Sequence, residues 1–381
     1  MLKAIVNGRI VHDQQLLPGY AIVFSDRVDR ICPEESLTRG EVDQFLDAGG
    51  LMVCPGLIDT HIHGIAGADM MDGRLESLRR MSSELAARGI TAFLPTTMSR
   101  PLAEIESALS IARQAMTNSV LPGARILGVH LEGPFLSPAY AGAQAVDQLM
   151  PPDGELISAY RDVIRMVTYA PELDPEGSFA TELLAMQVIP SIGHTDADYE
   201  AVAQAIARGV QHATHLFNAM PPLHHRRPGP VGAILEQGIS CELIADDLHL
   251  HPSIYRLVLR TIGLARMILV SDCMRAAKMA DGIHELGGQA VWVQGGSARL
   301  PDGRLAGSVL TLNQAVRNFQ AATGLGWPLA LMPASANPAA LLGTVQTGSL
   351  VPGNYADIAC FDCQMHAHLT IVRGEIVYQR D

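Results

Sequence analysis

A (β/α)8 barrel is the fold this sequence predicts, on two observations. Apolar, strand-like runs alternate with amphipathic helical segments through the middle of the chain, the signature of a parallel sheet with crossover helices. Almost every run then ends in a chemically active side chain: His61 and His63, Thr96 and Thr97, Glu132, Glu172, His194, His215, Asp246 to His249, and Asp272. Such a ring belongs at the C-terminal mouth of a closed barrel, whereas an open doubly wound sheet with the same alternation gathers its ligands mainly at one switch point.

Taken in order, the chain begins with short strands in AIVNGRIV, YAIVFSDRVDRI and FLDAGG, with Asn7-Gly8 and Pro18-Gly19 as turns. The same texture returns near the C-terminus in GSLVPGNYADIACFD and LTIVRGEIVYQR. One small β domain built from residues 1–50 and 346–381 is expected; two unrelated terminal hairpins fit the pattern as readily. Residues 51–345 are expected to form the barrel. Its eight strands are read at LMVCPGLID, TAFLPTT, RILGVHLEG, VIRMVTYAPE, VIPSIGHT, ATHLFN, ISCELIADD and MILVSDC. Helical spacing falls between them, for example in LESLRRMSSELAARG, LAEIESALSIARQAM, ADYEAVAQAIARG and PSIYRLVLRTIG.

With 381 residues, 48% of them hydrophobic, and a mean hydropathy of +0.18, the chain can bury a large core. A net charge of -12 argues against nucleic acid and anionic membranes as partners, because both need a basic footprint. Six cysteines are scattered, and the C-x-x-C of Cys360 and Cys363 has no second pair, so buried thiols in a reducing, cytoplasmic setting are expected. No basic segment followed by a long apolar one opens the chain, and no uncharged apolar run reaches the roughly 18 residues of a membrane span.

His61 and His63 lie two apart in a strand-like run, which sets both imidazoles on one face, a spacing suited to one metal ion. Each candidate alone has a plainer reading: Glu132 as a core carboxylate paired with an arginine, His194 as a helix cap, His215 stacked beneath Pro221. Four histidines and two carboxylates gathered at strand ends without a metal, however, would leave many desolvated polar groups to satisfy. The joint pattern of His61, His63, Glu132, His194, His215 and Asp272 therefore points to a catalytic metal site.

PGLIDTHIHG, HLEGPF, SIGHTDA, THLFNAM, HHRRPG, ADDLHLHP, SDCM and LAGSVLTL, in this order, resemble the N-acetylglucosamine-6-phosphate deacetylase family of the amidohydrolase superfamily, over nearly the whole chain. The resemblance implies an amidohydrolase-type barrel, a small β-sandwich from both termini, and a homodimer. The implied reaction is hydrolysis of the acetamide of an N-acetylhexosamine 6-phosphate, foremost N-acetyl-D-glucosamine 6-phosphate, to the amine and acetate. By resemblance Glu132, His194 and His215 are the metal ligands common to all members, and His61 and His63 match the H-x-H of members with a second metal. One or two divalent ions per chain follow, zinc or ferrous iron. Asp272 matches the catalytic carboxylate and also touches metal, and His249 matches the contact to the acetyl carbonyl. Asn218, Ala219 and Arg226 match the phosphate-binding set, with Arg227 beside them, while Gly307 and Ser308 lie where the sugar pocket is shaped.

Four positions depart from that family. Gln144 stands where a substrate-contacting histidine is usual, Arg227 where Glu is common, Asp247 where Gly is common, and Cys273 where Ala is common. Gln can hydrogen-bond a sugar hydroxyl but carries no charge, so the departures bear on which sugar is taken. A galactosamine-type epimer or another N-acyl amino sugar is the nearest alternative. A sugar-phosphate sensor without catalysis is the alternative of another class, and the presence of Asp272 argues against it, because binding alone needs no general base. Amidohydrolases with a bridging lysine are disfavoured: Lys3 and Lys278 are the only lysines, and neither ends a strand.

Overall fold

Eight parallel strands set the frame on which the candidate residues hang. The computed structural model describes residues 1–38, 40–118, 121–344 and 346–380. The strands are β1 (Leu57–Ile62), β2 (Ile90–Pro95), β3 (Val129–Glu132), β4 (Ile164–Tyr169), β5 (Ile189–Ile192), β6 (His212–Ala213), β7 (Ser240–Ile244) and β8 (Met267–Val270). They form two parallel arcs, β1 with β2 and β3 through β8. Isolated bridges join the arcs on both sides, Thr96 to His130 and Ile62 to Cys273. Across these seams Thr97 donates its backbone N–H to the His130 carbonyl at 3.1 Å, and Asp272 donates to that of His61 at 2.9 Å. The ring is a barrel.

Helices α1 (Leu75–Ala86), α2 (Leu102–Asn118), α3 (Gly154–Ala159), α4 (Ser178–Ala185), α5 (Tyr199–Ala207), α6 (Gly229–Gln237), α7 (Pro252–Ile262) and α8 (Leu312–Thr323) follow the strands in turn. The sequence spans read as helical contain α1, α5 and α7 and most of α2. In α1 Leu78, Met81 and Leu85 are buried together with Ser82 and Ala86, one stripe at helical spacing. No helix among the described residues is long and apolar enough to cross a membrane.

Three expected strands differ from those observed. The run from Leu51 to Asp59 is two strands, Met52–Pro55 and β1, parted at Gly56, where an added Cβ would meet the Thr91 side chain at 2.1 Å. RILGVHLEG divides into Arg125–Ile126, which pairs with β2, and β3, with Gly128 at φ 143 between them. ATHLFN contributes only Ala213 to the ladder, because the backbone beyond it turns left-handed at His215, Phe217 and Ala219.

Strands from both ends of the chain share one six-stranded sheet, in the order Glu375–Gln379, Ala367–Val372, Ile358–Phe361, Met52–Pro55, Arg9–His12, Gln15–Pro18. A four-stranded sheet, Val28–Pro33, Tyr20–Phe24, Lys3–Val6, Gln44–Asp47, faces it through a separate core that includes Ile5, Ile22 and Phe24 with Ile10, Val53, Ile358 and Ile371. Asn7-Gly8 is the corner where the chain changes sheet, and a Cβ on Gly8 would lie 2.6 Å from Val53. This β unit runs on to Pro55, past the expected boundary at residue 50; Val345 and Asp381, at the other expected boundaries, lie outside the described residues.

An unexpected element sits between β8 and α8: an antiparallel sheet of Gly282–Leu286, Gln289–Gln294 and Ser297–Arg299. Its turns are Gly287-Gly288 and Gly295-Gly296, a hairpin signal that strand counting for the barrel leaves out.

Candidate active site and metal centre

Each strand delivers its residue within about a turn of its C-terminal end. His61 lies inside β1 and Glu132 closes β3, whereas His194, His215 and Asp272 each follow their strand by two residues. Those three have φ of 48°, 26° and 46°. A left-handed backbone at non-glycine residues is unfavourable and clusters at functional sites, where the surrounding fold holds it in place. The sharp turn aims each side chain back over the barrel axis.

Ring tautomers follow from what the Nδ1 atoms meet. His63 Nδ1 faces the Thr96 carbonyl at 3.3 Å, His194 Nδ1 the Tyr140 carbonyl at 2.9 Å, and His61 Nδ1 the Glu242 carboxylate at 2.9 Å. Each partner only accepts, so Nδ1 carries a proton and Nε2 is the atom left to meet a cation. These Nε2 atoms converge. That of His63 lies 3.3 Å from Glu132 Oε2 and 3.2 Å from Asp272 Oδ1, and that of His61 is 3.5 Å from Asp272 Oδ1 with no hydrogen-bond partner. His194 and His215 point Nε2 at Glu132 Oε1 from 3.1 and 3.0 Å, and at each other from 3.1 Å.

Converging Nε2 atoms and two carboxylates make a site that calls for positive charge, as protons on the rings or as a cation. Burial depresses the His61 ring, yet Glu132, Glu242 and Asp272 outweigh it and hold its pKa well above the ordinary value. Burial likewise lowers His63, but hydrogen bonds to Asp272 and Glu132 push it up to about 9. Glu132 is held well below the carboxylate range, its burial overcome by His61 and His194. Two triads have ligand atoms within 4.8 Å of one another and fit a cation, His61, His63 and Asp272, and Glu132, His194 and His215. A third such group, His61, His130 and Glu242, is satisfied otherwise: His130 uses both nitrogens, on the Thr60 carbonyl and the Thr168 hydroxyl. Burial and nearby His61 push His130 down to about 3, so it is neutral.

Above the triads opens a cavity of about 440 Å3, lined by His63, Glu132, His194, His215 and Asp272 on its floor and by Asn218, Ala219, His249 and Gly307 higher up. The amidohydrolase family model matches residues 52–377. The N-acetylglucosamine-6-phosphate deacetylase of Bacillus subtilis (strain 168) is 42% identical over 380 residues, 97% of this chain and 95% of that one. The chain belongs to the amidohydrolase family. An N-acetylgalactosamine-6-phosphate deacetylase of Escherichia coli O157:H7 is 35% identical, over 85% of this chain and 87% of its own. Among solved structures, a mutant N-acetyl-D-glucosamine-6-phosphate deacetylase of Mycobacterium smegmatis in complex with N-acetyl-D-glucosamine-6-phosphate superposes with a TM-score of 0.89, at 32% identity and 99% coverage of both chains.

Not every residue expected at this amidohydrolase site is brought there. Arg226 and Arg227 are exposed and stand outside the cavity lining, because Arg227 donates its backbone N–H to the His224 carbonyl at 3.0 Å in a tight turn that carries both side chains to the surface. Ser308 is buried behind the wall. Its backbone N–H donates to the Asp272 carbonyl at 2.8 Å and its hydroxyl to that of Ser271 at 2.6 Å, so it braces Asp272 from the side opposite His61. Gln144 is in the wall, with its amide turned to Glu132.

Other residues were missed. Glu242, fully buried in β7, accepts from His61 Nδ1 and, on the same oxygen, from the His215 backbone N–H at 3.2 Å, tying one residue of each triad to a single carboxylate. Its signal was a charge set among the apolar residues of ISCELIADD, well before the acidic pair that ends it. Asp246 holds His249 Nδ1 at 2.7 Å, and Arg304 is the only arginine or lysine among the described residues that line the cavity.

Proposed function

We propose that this amidohydrolase removes the acetyl group from an N-acetylhexosamine 6-phosphate, foremost N-acetyl-D-glucosamine 6-phosphate, releasing the amino sugar phosphate and acetate. The observation that carries the reading is the convergence of the His61, His63 and His194 Nε2 atoms with Glu132 and Asp272 on the floor of a cavity walled by His249. Support for the substrate comes from the Bacillus relative and the Mycobacterium complex, alike in sequence over nearly all their length.

Glu132, His194 and His215 hold one divalent cation and His61, His63 and Asp272 a second, with zinc the first choice and ferrous iron the other. A cation there supplies Lewis acidity and lowers the pKa of a water towards about 7. Asp272, at the cavity floor, takes the water proton and passes it to the departing nitrogen, which must leave as an amine because an amide anion is too basic. His249, its ring fixed by Asp246, stands on the wall to meet the acetyl oxygen as charge develops. Asn218, Ala219 and Gly307 shape the sugar end of the cavity, with Ser308 as support. We place the enzyme in the cytoplasm as a homodimer.

Chelation should abolish turnover and zinc or iron should restore it; full activity in metal-free protein would sink the reading. Rates on N-acetylglucosamine and N-acetylgalactosamine, each with and without the 6-phosphate, identify the sugar, and the Escherichia relative makes the galactosamine derivative the competitor to measure. Arg304→Ala should raise KM for the phosphorylated sugar by about tenfold, the scale of one lost charge-assisted contact. Arg226→Ala should leave KM unchanged if each chain binds alone, and a rise would mean that the guanidinium reaches the cavity of a second copy.

A further inference from the structure

Gln144, in the loop after β3, is 3% exposed and its amide is fully engaged. Its Oε1 accepts the Ser99 backbone N–H at 2.6 Å, while Nε2 donates to Glu132 Oε2 at 2.9 Å and lies 3.6 Å from Met98 Sδ. The Ser99 contact decides which way round the amide lies, because turning it over would set an NH2 group against an N–H. The donor therefore faces Glu132, and the two carboxylate oxygens are made unequal. Oε1 looks to His194 and His215 at 3.1 and 3.0 Å, whereas Oε2 is taken by Gln144 and lies 3.3 Å from His63. Without that hydrogen bond Oε2 keeps only the longer contact to His63, and the carboxylate is less firmly held about its last torsion, which is broad and shallow for Glu.

We propose that Gln144 is a positioning residue of the metal centre and not a sugar contact: it grips Glu132 Oε2 so that Oε1 stays presented beside His194 and His215. This rests on the metal reading above. It also gives a physical sense to a glutamine where relatives by resemblance place a histidine, since histidine Nε2 is reached over the same number of bonds from Cβ as glutamine Nε2.

Competitive chelation of zinc-loaded protein tests it, on wild type, Gln144→Met, Gln144→Asn and Gln144→His. Methionine keeps the length without a donor, and asparagine keeps the amide but withdraws it by one methylene. Both should give up zinc about 10- to 100-fold more readily than wild type, the effect usual for partners of metal ligands, with Gln144→His regaining most of the loss. KM for the substrate should stay within about twofold, because no uniform binding contact is removed. Zinc affinity in Gln144→Asn equal to wild type overturns the proposal, and so does a raised KM with unaltered zinc affinity, which would return Gln144 to the substrate. Wild type that takes up no zinc would overturn the metal reading along with it.

Discussion

His61, His63 and His194 each commit Nδ1 to an acceptor, so the proton bookkeeping of the centre can be read from single rings. With His63 pushed up to about 9, the cation-free ring is protonated at neutral pH, and a metal must displace that proton to bind. Calorimetric titration of metal-free protein with zinc at about pH 7.5, in two buffers of different ionisation enthalpy, should show release of about one proton or more per chain. Identical heats in both buffers would mean that the cation-free His63 ring is already neutral at that pH. Asp272→Asn should fold and hold metal yet turn over at least about a hundredfold more slowly, because an amide cannot shuttle a proton; kcat and metal content belong in the same sample. Asp247 shows how much a residue-level departure conveys. It stands where glycine is common by resemblance, and its φ of 65° is a conformation that Asp tolerates better than most residues. The position was legible in the sequence, and the backbone reason for it was not.

At the scale of elements, β1 and the residue that follows it supply both histidines of one triad, while the other triad is collected from β3 and the turns after β5 and β6. Replacing His61 and His63 together by Ala should therefore lower metal content by about one ion and leave the site of Glu132, His194 and His215 filled; elemental analysis per folded chain decides it. Glu242 in β7 holds one residue from each triad, so Glu242→Gln, which keeps the shape and removes the charge, should weaken metal retention by about 10- to 100-fold. Unaltered retention would reduce Glu242 to a packing residue. The barrel strands were legible because buried parallel strands read as apolar runs, and their polar ends marked the mouth. Glu242 was not, because reading strand ends overlooks a charge in mid-strand. Nor were the left-handed turns at His194, His215 and Asp272, which no glycine announces. The arginines of HHRRPG lie outside this chain's own cavity lining, which their proximity in sequence to His215 did not announce.

At the scale of the whole molecule, the two β-rich ends were visible as a shared texture, but not that the strand Met52–Pro55 would sit at the middle of their common sheet. It pairs with Arg9–His12 on one side and with Ile358–Phe361 on the other, and Gly56 alone separates it from the strand that carries His61. A nascent chain has therefore threaded every barrel strand out of the ribosome while the apolar edge of Met52–Pro55 still waits for its second neighbour, and an unpaired edge of that kind recruits other chains. The strands Ile358–Phe361, Ala367–Val372 and Glu375–Gln379 act as a clasp closed only after every barrel strand has been made. A stop codon placed before Ile358 should give pelleted protein instead of a smaller soluble enzyme, and co-expressing the missing segment as a separate peptide should return part of it to solution.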